Sequence, residues 1–134
     1  MWSSGRLRYR HVPGLPGSAN AAIRQWESRR GTPGRVAVAV SVWSAHVYRT
    51  DRRWRPWEAE FTCACCGEEW ARDTLEEAMA ALPAGTASRL RVVVERLDDV
   101  LVARSHQVPS TPAELPWWRR LCTECGERRW LVRR

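Results

Sequence analysis

Lysine is missing altogether from these 134 residues; all 22 basic side chains are arginine. Arginine codons displacing lysine codons in a GC-rich coding sequence are the simpler account, and bidentate phosphate recognition is the sharper one. The aromatic class is equally lopsided, with a single Phe and 2 Tyr against 9 Trp. Long apolar runs are also lacking. The longest mainly apolar stretch covers residues 36–48 and includes Ser41, Ser44 and His46, whereas a membrane-spanning helix needs about 20 residues. No apolar run follows the charges of residues 1–10, so no signal peptide is expected. The expectation is a cytoplasmic protein with no membrane partner. In such a reducing compartment, clustered cysteines hold metal more often than they form disulfides.

Several chemistries lack their motifs. No His-Glu metal motif, phosphate-binding glycine loop or nucleophile elbow is present. The three histidines, His11, His46 and His106, are scattered. His46 could be imagined as a base, but a lone histidine in an apolar run is more often a packed residue. The expectation is a non-enzymatic protein with no small-molecule substrate.

Present instead are two matched cysteine pairs, Cys63-Ala64-Cys65-Cys66-Gly67 and Cys122-Thr123-Glu124-Cys125-Gly126. Each pair has a glycine after its second cysteine, and a glutamate and a tryptophan soon after. Four thiolates in a tetrahedron suit one structural zinc ion, and glycine lets the backbone turn tightly behind each pair. Cys63, Cys66, Cys122 and Cys125 are therefore the expected ligands, with Cys65 a spare thiol. An iron–sulfur cluster is the minor alternative from composition. A redox dithiol is disfavoured because neither pair opens a helix after a buried strand in a βαβ pattern. With all four positions taken by thiolates, the metal would leave no open position for catalysis.

These two pairs resemble the knuckles of the zinc-ribbon class, in which paired Cys-x-x-Cys-Gly turns on β-hairpins clamp one zinc. The resemblance is confined to residues 61–72 and 121–132, and no family is recognised elsewhere in the chain. It implies small antiparallel strands beside each knuckle, with the residues between them as an insertion.

Patterning along the chain completes the expected fold. Residues 6–11 alternate basic and apolar groups, as in an edge strand. Ser18 is placed to cap a helix stopped near Gly31. Residues 36–48 put valines on one face and Ala37, Ala39, Trp43 and Val47 on the other, which predicts a central strand covered on both sides. A second strand is expected to end at Phe61, with Trp57, Ala59 and Phe61 inward. Asp73 and Glu76 form a capping-box pattern for a helix through Leu82. Leu90, Val93, Val94, Leu97, Val100 and Leu101 trace the stripe of a helix over 86–104 that leaves Asp98 and Asp99 outside. Residues 129–133 close the fold as a last strand. The expected class is α+β: one domain whose small antiparallel sheet continues into a four-cysteine zinc ribbon, with helices inserted between the knuckles. Its parts are a basic arm or edge strand (1–17), a helix and β-hairpin (18–62), and the knuckles with their insertion (63–134).

The formal net charge of +7 is unevenly spread. Residues 1–56 hold 11 Arg against 2 acids, residues 57–105 hold 5 against 10, and residues 106–134 hold 6 against 3. Arginine is interleaved with aromatic groups in three places, marked by Arg8 and Arg10, by Arg52, Arg53, Trp54 and Arg55, and by Trp117, Trp118, Arg119 and Arg120. Such clusters bind phosphates and stack on exposed bases. Equally, tryptophans can be core and arginines a solvated surface; Trp57, Trp70 and Trp130 are read that way. The leading functional expectation is a zinc-binding accessory protein that binds nucleic acid. The alternatives are an adaptor for an acidic protein partner and a thiol redox or metal-handling protein.

Overall fold

The computed structural model describes residues 11–48, 68–107 and 114–122. Among them the fold is all-α, not the expected α+β. Four helices, α1 (Gly17–Arg30), α2 (Arg35–Tyr48), α3 (Glu69–Ala81) and α4 (Ala84–Arg104), are followed by a single 3-10 turn at Trp117–Arg119. Extended pairing among the described residues is limited to two residues a side, with His106 opposite Cys122 and Gln107 opposite Leu121. The expected strands over 54–61 and 129–133 lie outside the described residues, as does all of the expected 6–11 strand except His11, which is in no strand.

The largest correction is α2, where a strand was expected. Alternating Val and Ala fits either period, because both residues are apolar and a doubly covered strand has no polar face to betray it. Its buried side chains settle the matter: Val36, Val40, Trp43 and Val47 recur every three or four residues, with Ala37 and Ala39 beside them. Valine in a helix costs up to about 0.7 kcal/mol relative to alanine. Burying it contributes about 1.5–3 kcal/mol, so tertiary packing wins.

The start of α2 is held by a residue remote from it. Glu27, fully buried on α1, accepts hydrogen bonds from the backbone N–H groups of Gly34 (3.0 Å) and Val36 (2.7 Å). A carboxylate there satisfies donors that a helix start leaves open, and it faces the positive end of the helix dipole. Gly31 ends α1 in the left-handed region (φ 72°), as the sequence suggested.

Helices α2, α3 and α4 share one core. It contains Trp43, Leu75, Leu90 and Val94, all fully buried, together with Ile23 from α1. The four strongest members of the expected α4 stripe, Leu90, Val94, Leu97 and Leu101, are buried, while Val93 and Val100 pack at its margin. Helix α3 begins four residues before Asp73, so that residue stands inside the helix and is no cap.

The zinc-ribbon resemblance is overturned as well. A ribbon carries its knuckles on β-hairpins, but here α3 begins at Glu69, three residues after Cys66. The chain therefore leaves the first cysteine pair into a helix. Among the described residues, no group of three or more His, Cys, Asp or Glu side chains could hold a metal ion.

Candidate functional site

One face of α3 concentrates charge. Glu69, Arg72, Asp73 and Glu76 follow i, i+3, i+4 and i+7, which places them along one side of the helix. Three other elements converge on this face: α4 through Asp98, α2 through Trp43 and the 117–119 turn.

Arg72 sits at the centre and is almost fully buried. Its Nε donates to both Asp98 oxygens (3.0 and 3.2 Å), one Nη donates to Asp98 Oδ2 (3.0 Å), and the other donates to Glu76 Oε1 (2.9 Å). The Trp43 indole N–H donates to Asp98 Oδ1 at 3.0 Å. Above the guanidinium lies the Trp118 ring, 4.3 Å from its centroid, with Trp117 at 5.7 Å. Burial by itself disfavours the charge on Arg72. Hydrogen bonds to Asp98 and then Glu76 outweigh it and hold the pKa above its ordinary value.

The 117–119 turn is fastened to Asp73. Trp118 Nε1 donates to Asp73 Oδ1 at 2.7 Å, and the Arg119 guanidinium donates to both oxygens of the same carboxylate. A further contact joins Arg119 to Glu69 Oε1 at 3.4 Å. Burial favours the neutral form of Asp73, yet the hydrogen bonds from Arg119 and Trp118 prevail, and its pKa lies below the usual carboxylate value. The hydrogen bond to Asp73 also raises the pKa of Arg119.

This docking relocates part of the expected binding surface. Trp118 is buried in the core cluster, and its indole N–H is already bonded. Arg119 is engaged by two acids. Trp117 is half-buried and meets Trp118 edge-on, with centroids 5.6 Å apart. Arg120 is half-buried, and its Nε has no hydrogen-bond partner among the described residues. Sequence reasoning missed the roles of Arg72, Asp73 and Asp98. The available signal was an arginine within an otherwise apolar and acidic stretch of α3.

Arg8, Arg10, Arg52, Arg53, Trp54 and Arg55 lie outside the described residues, as do Cys63, Cys66 and Cys125. Cys122 is described through its backbone pairing with His106. The Arg119–Glu69 contact bears on the cysteines all the same. Arg119 stands three residues before Cys122, and Glu69 three residues after Cys66. The contact therefore joins the stretch of chain that follows the first cysteine pair to the stretch that leads into the second. Nearby, His46 is stacked on Trp43 with ring centroids 4.9 Å apart, and its Nδ1 lies 3.3 Å from Glu68 Oε1. The histidine is thus a packed residue of α2, buried at the helix end where residues 49–67 begin.

Charge divides unequally between this body and the rest of the chain. The described residues hold 11 Arg and 10 acids, whereas residues 1–10, 49–67, 108–113 and 123–134 together hold 11 Arg and 5 acids. The helical body is therefore near neutrality, and ion pairs engage its Arg30, Arg72 and Arg119. No helix among the described residues is long and apolar enough to cross a membrane. No protein-family model, curated protein or solved structure matches the chain.

Proposed function

We propose that this chain is a non-enzymatic accessory protein that binds nucleic acid through arginine-rich segments carried on a charge-balanced helical body. The segregation of charge supports this reading. The described residues sum to +1, and residues 1–10, 49–67, 108–113 and 123–134 together sum to +6. Arginine side chains bind phosphate, and Trp54 among Arg52, Arg53 and Arg55 adds a face on which a base can stack. Arg8 and Arg10 belong to the same surplus, whereas Trp118 and Arg119 are already engaged within the body.

One structural zinc ion belongs to this reading, held by Cys63, Cys66, Cys122 and Cys125. Its support is the contact of Glu69, three residues after Cys66, with Arg119, three residues before Cys122, together with the matched spacing of the pairs. Bound there, zinc would join the chain before α3 to the chain after the 117–119 turn, and its binding energy would add to folding.

Fluorescence anisotropy of the zinc-loaded protein tests the function, using labelled single-stranded DNA, duplex DNA and RNA across a salt series. Binding that persists near physiological salt, prefers one form and weakens in Arg52→Ala/Arg53→Ala/Arg55→Ala supports it. Binding that ignores the form of the nucleic acid and disappears with modest salt reduces the charge to general electrostatics. That outcome favours an acidic protein as the partner.

A further inference from the structure

Among the described residues, α1 and α2 expose no carboxylate. Residues 11–48 hold Arg24, Arg29, Arg30 and Arg35 against one acid, Glu27, and that acid is fully buried where it caps α2. Residues 68–107 have the opposite balance, with 5 Arg against 8 acids. The near-neutral body therefore has a basic side, made by its first two helices. Arg30 is paired with Glu77 of α3, and Arg35 lies against the Trp70 ring at 5.1 Å. Arg29 is exposed and joins no ion pair among the described residues.

The outer arc of α1 has a definite order, because successive residues turn by about 100° around the axis. Ala19, Asn20, Ile23 and Glu27 face the core. Opposite them, Ala21, Gln25 and Ser28 form the outermost ridge, and all three are exposed. Arg24 and Arg29 stand on the two flanks of that ridge and are also exposed. Building on nucleic-acid binding as the function, we propose that α1 lies in the major groove of duplex DNA. Gln25 meets a base edge there, and Arg24 and Arg29 meet the phosphates of the two walls.

Size and chemistry favour this occupant. A helix with its side chains is about 10–12 Å across, and the major groove of B-form DNA is about 12 Å wide. Small side chains at Ala21 and Ser28 let the helix approach the groove floor. A glutamine amide bonds N6 and N7 of adenine, and an alanine methyl packs against that of thymine. Flanking guanidinium groups neutralise phosphate. Other partners fit this arc less well. The major groove of duplex RNA is too deep and narrow for side chains to read. A single strand is held by aromatic faces on which bases stack, and the outer arc has none. Trp26 is half-buried beside it, with the Arg30 guanidinium 5.0 Å from its ring centroid. Protein interfaces centre on aromatic or arginine anchors, whereas the centre of this arc is alanine, glutamine and serine.

Selection from a random duplex library by the purified full chain, followed by anisotropy on the enriched sequence, tests the placement. The wild type should prefer the enriched duplex to single-stranded DNA and to RNA. Gln25→Ala should reduce discrimination at one A·T pair about tenfold and leave binding to unselected duplex unchanged. Arg29→Ala should weaken binding to every duplex alike and lower the slope of log affinity against log salt by about 1. Arg29→Lys should restore that slope. Arg96→Ala, at an exposed position of α4, is the charge control and should leave the slope as it is. Far-ultraviolet circular dichroism should show the helices retained in all four variants. Wild-type binding by both α1 alanine variants would overturn the placement while nucleic-acid binding stood. A preference for RNA or single strands, or a selection that enriches no sequence, would do the same. A wild type that binds no nucleic acid even at low salt would overturn both.

Discussion

Arg72 on α3 and Asp98 on α4 meet through three hydrogen bonds of 3.0–3.2 Å, and both side chains are almost wholly removed from solvent. The pair joins two helices while the Trp43 indole secures the same carboxylate from a third. Trp118 then closes over the guanidinium. The charged face of α3 is thus the point at which the helices and the 117–119 turn converge.

Breaking this pair on one side should be far more damaging than replacing it whole. Asp98→Ala strands a buried guanidinium and should destabilise the protein by about 3–5 kcal/mol. Arg72→Met/Asp98→Leu removes both charges and should recover a large part of that loss, though the Trp43 N–H remains without its acceptor. Urea denaturation followed by far-ultraviolet circular dichroism measures both; equal losses in the two variants would contradict the pairing.

The cap supplied by Glu27 gives a graded expectation. Glu27→Ala leaves the Gly34 and Val36 N–H groups without their acceptor, at about 1–3 kcal/mol for each buried donor. Glu27→Gln keeps one carbonyl oxygen and should lose less. The same denaturation series orders the three proteins as wild type, Gln, then Ala.

Acid should loosen the 117–119 turn. The pKa of Asp73 is lowered in the folded state, so its stabilising contribution is fully present above the unfolded carboxylate value. It declines as pH falls through that value towards the lower folded one. Thermal midpoints recorded from neutral pH into acid should fall more steeply for the wild type than for Asp73→Asn, which loses the contact at every pH.

Metal content checks the cysteine assignment. Purified protein should carry one zinc per chain by elemental mass spectrometry. Cys122→Ser should lose it and show a lower thermal midpoint or aggregate, whereas Cys65→Ser should retain it. A folded Cys122→Ser protein with an unchanged midpoint would remove zinc from the fold.

Local pattern and tertiary structure agree that α1, α3 and α4 are helices, and the first and last of these carry clear local signals. Helix α1 ends at a glycine that adopts the left-handed conformation, and α4 writes its apolar stripe at a period that only a helix satisfies. Helix α2 has neither signal. Its apolar residues surround it, so periodicity could not distinguish a helix from a covered strand, and its N-terminal cap comes from another helix. The charged face was similarly hidden. Asp98 reads as a solvent residue beside Asp99 until α3 brings Arg72 against it, and Asp73 reads as a cap until Trp118 and Arg119 arrive from 45 and 46 residues away.

By itself the sequence determined the arginine-only basic charge and its uneven distribution, the matched cysteine spacing, and the helical character of α1, α3 and α4. These depend on composition, local conformation or periodicity, which neighbouring residues specify among themselves. Only the tertiary structure decided that α2 is a helix, that Arg72 and Asp98 are partners, and that Trp118 and Arg119 are drawn into the body. Each of those outcomes depends on burial and charge pairing between distant segments, whose energies exceed the local preferences they override.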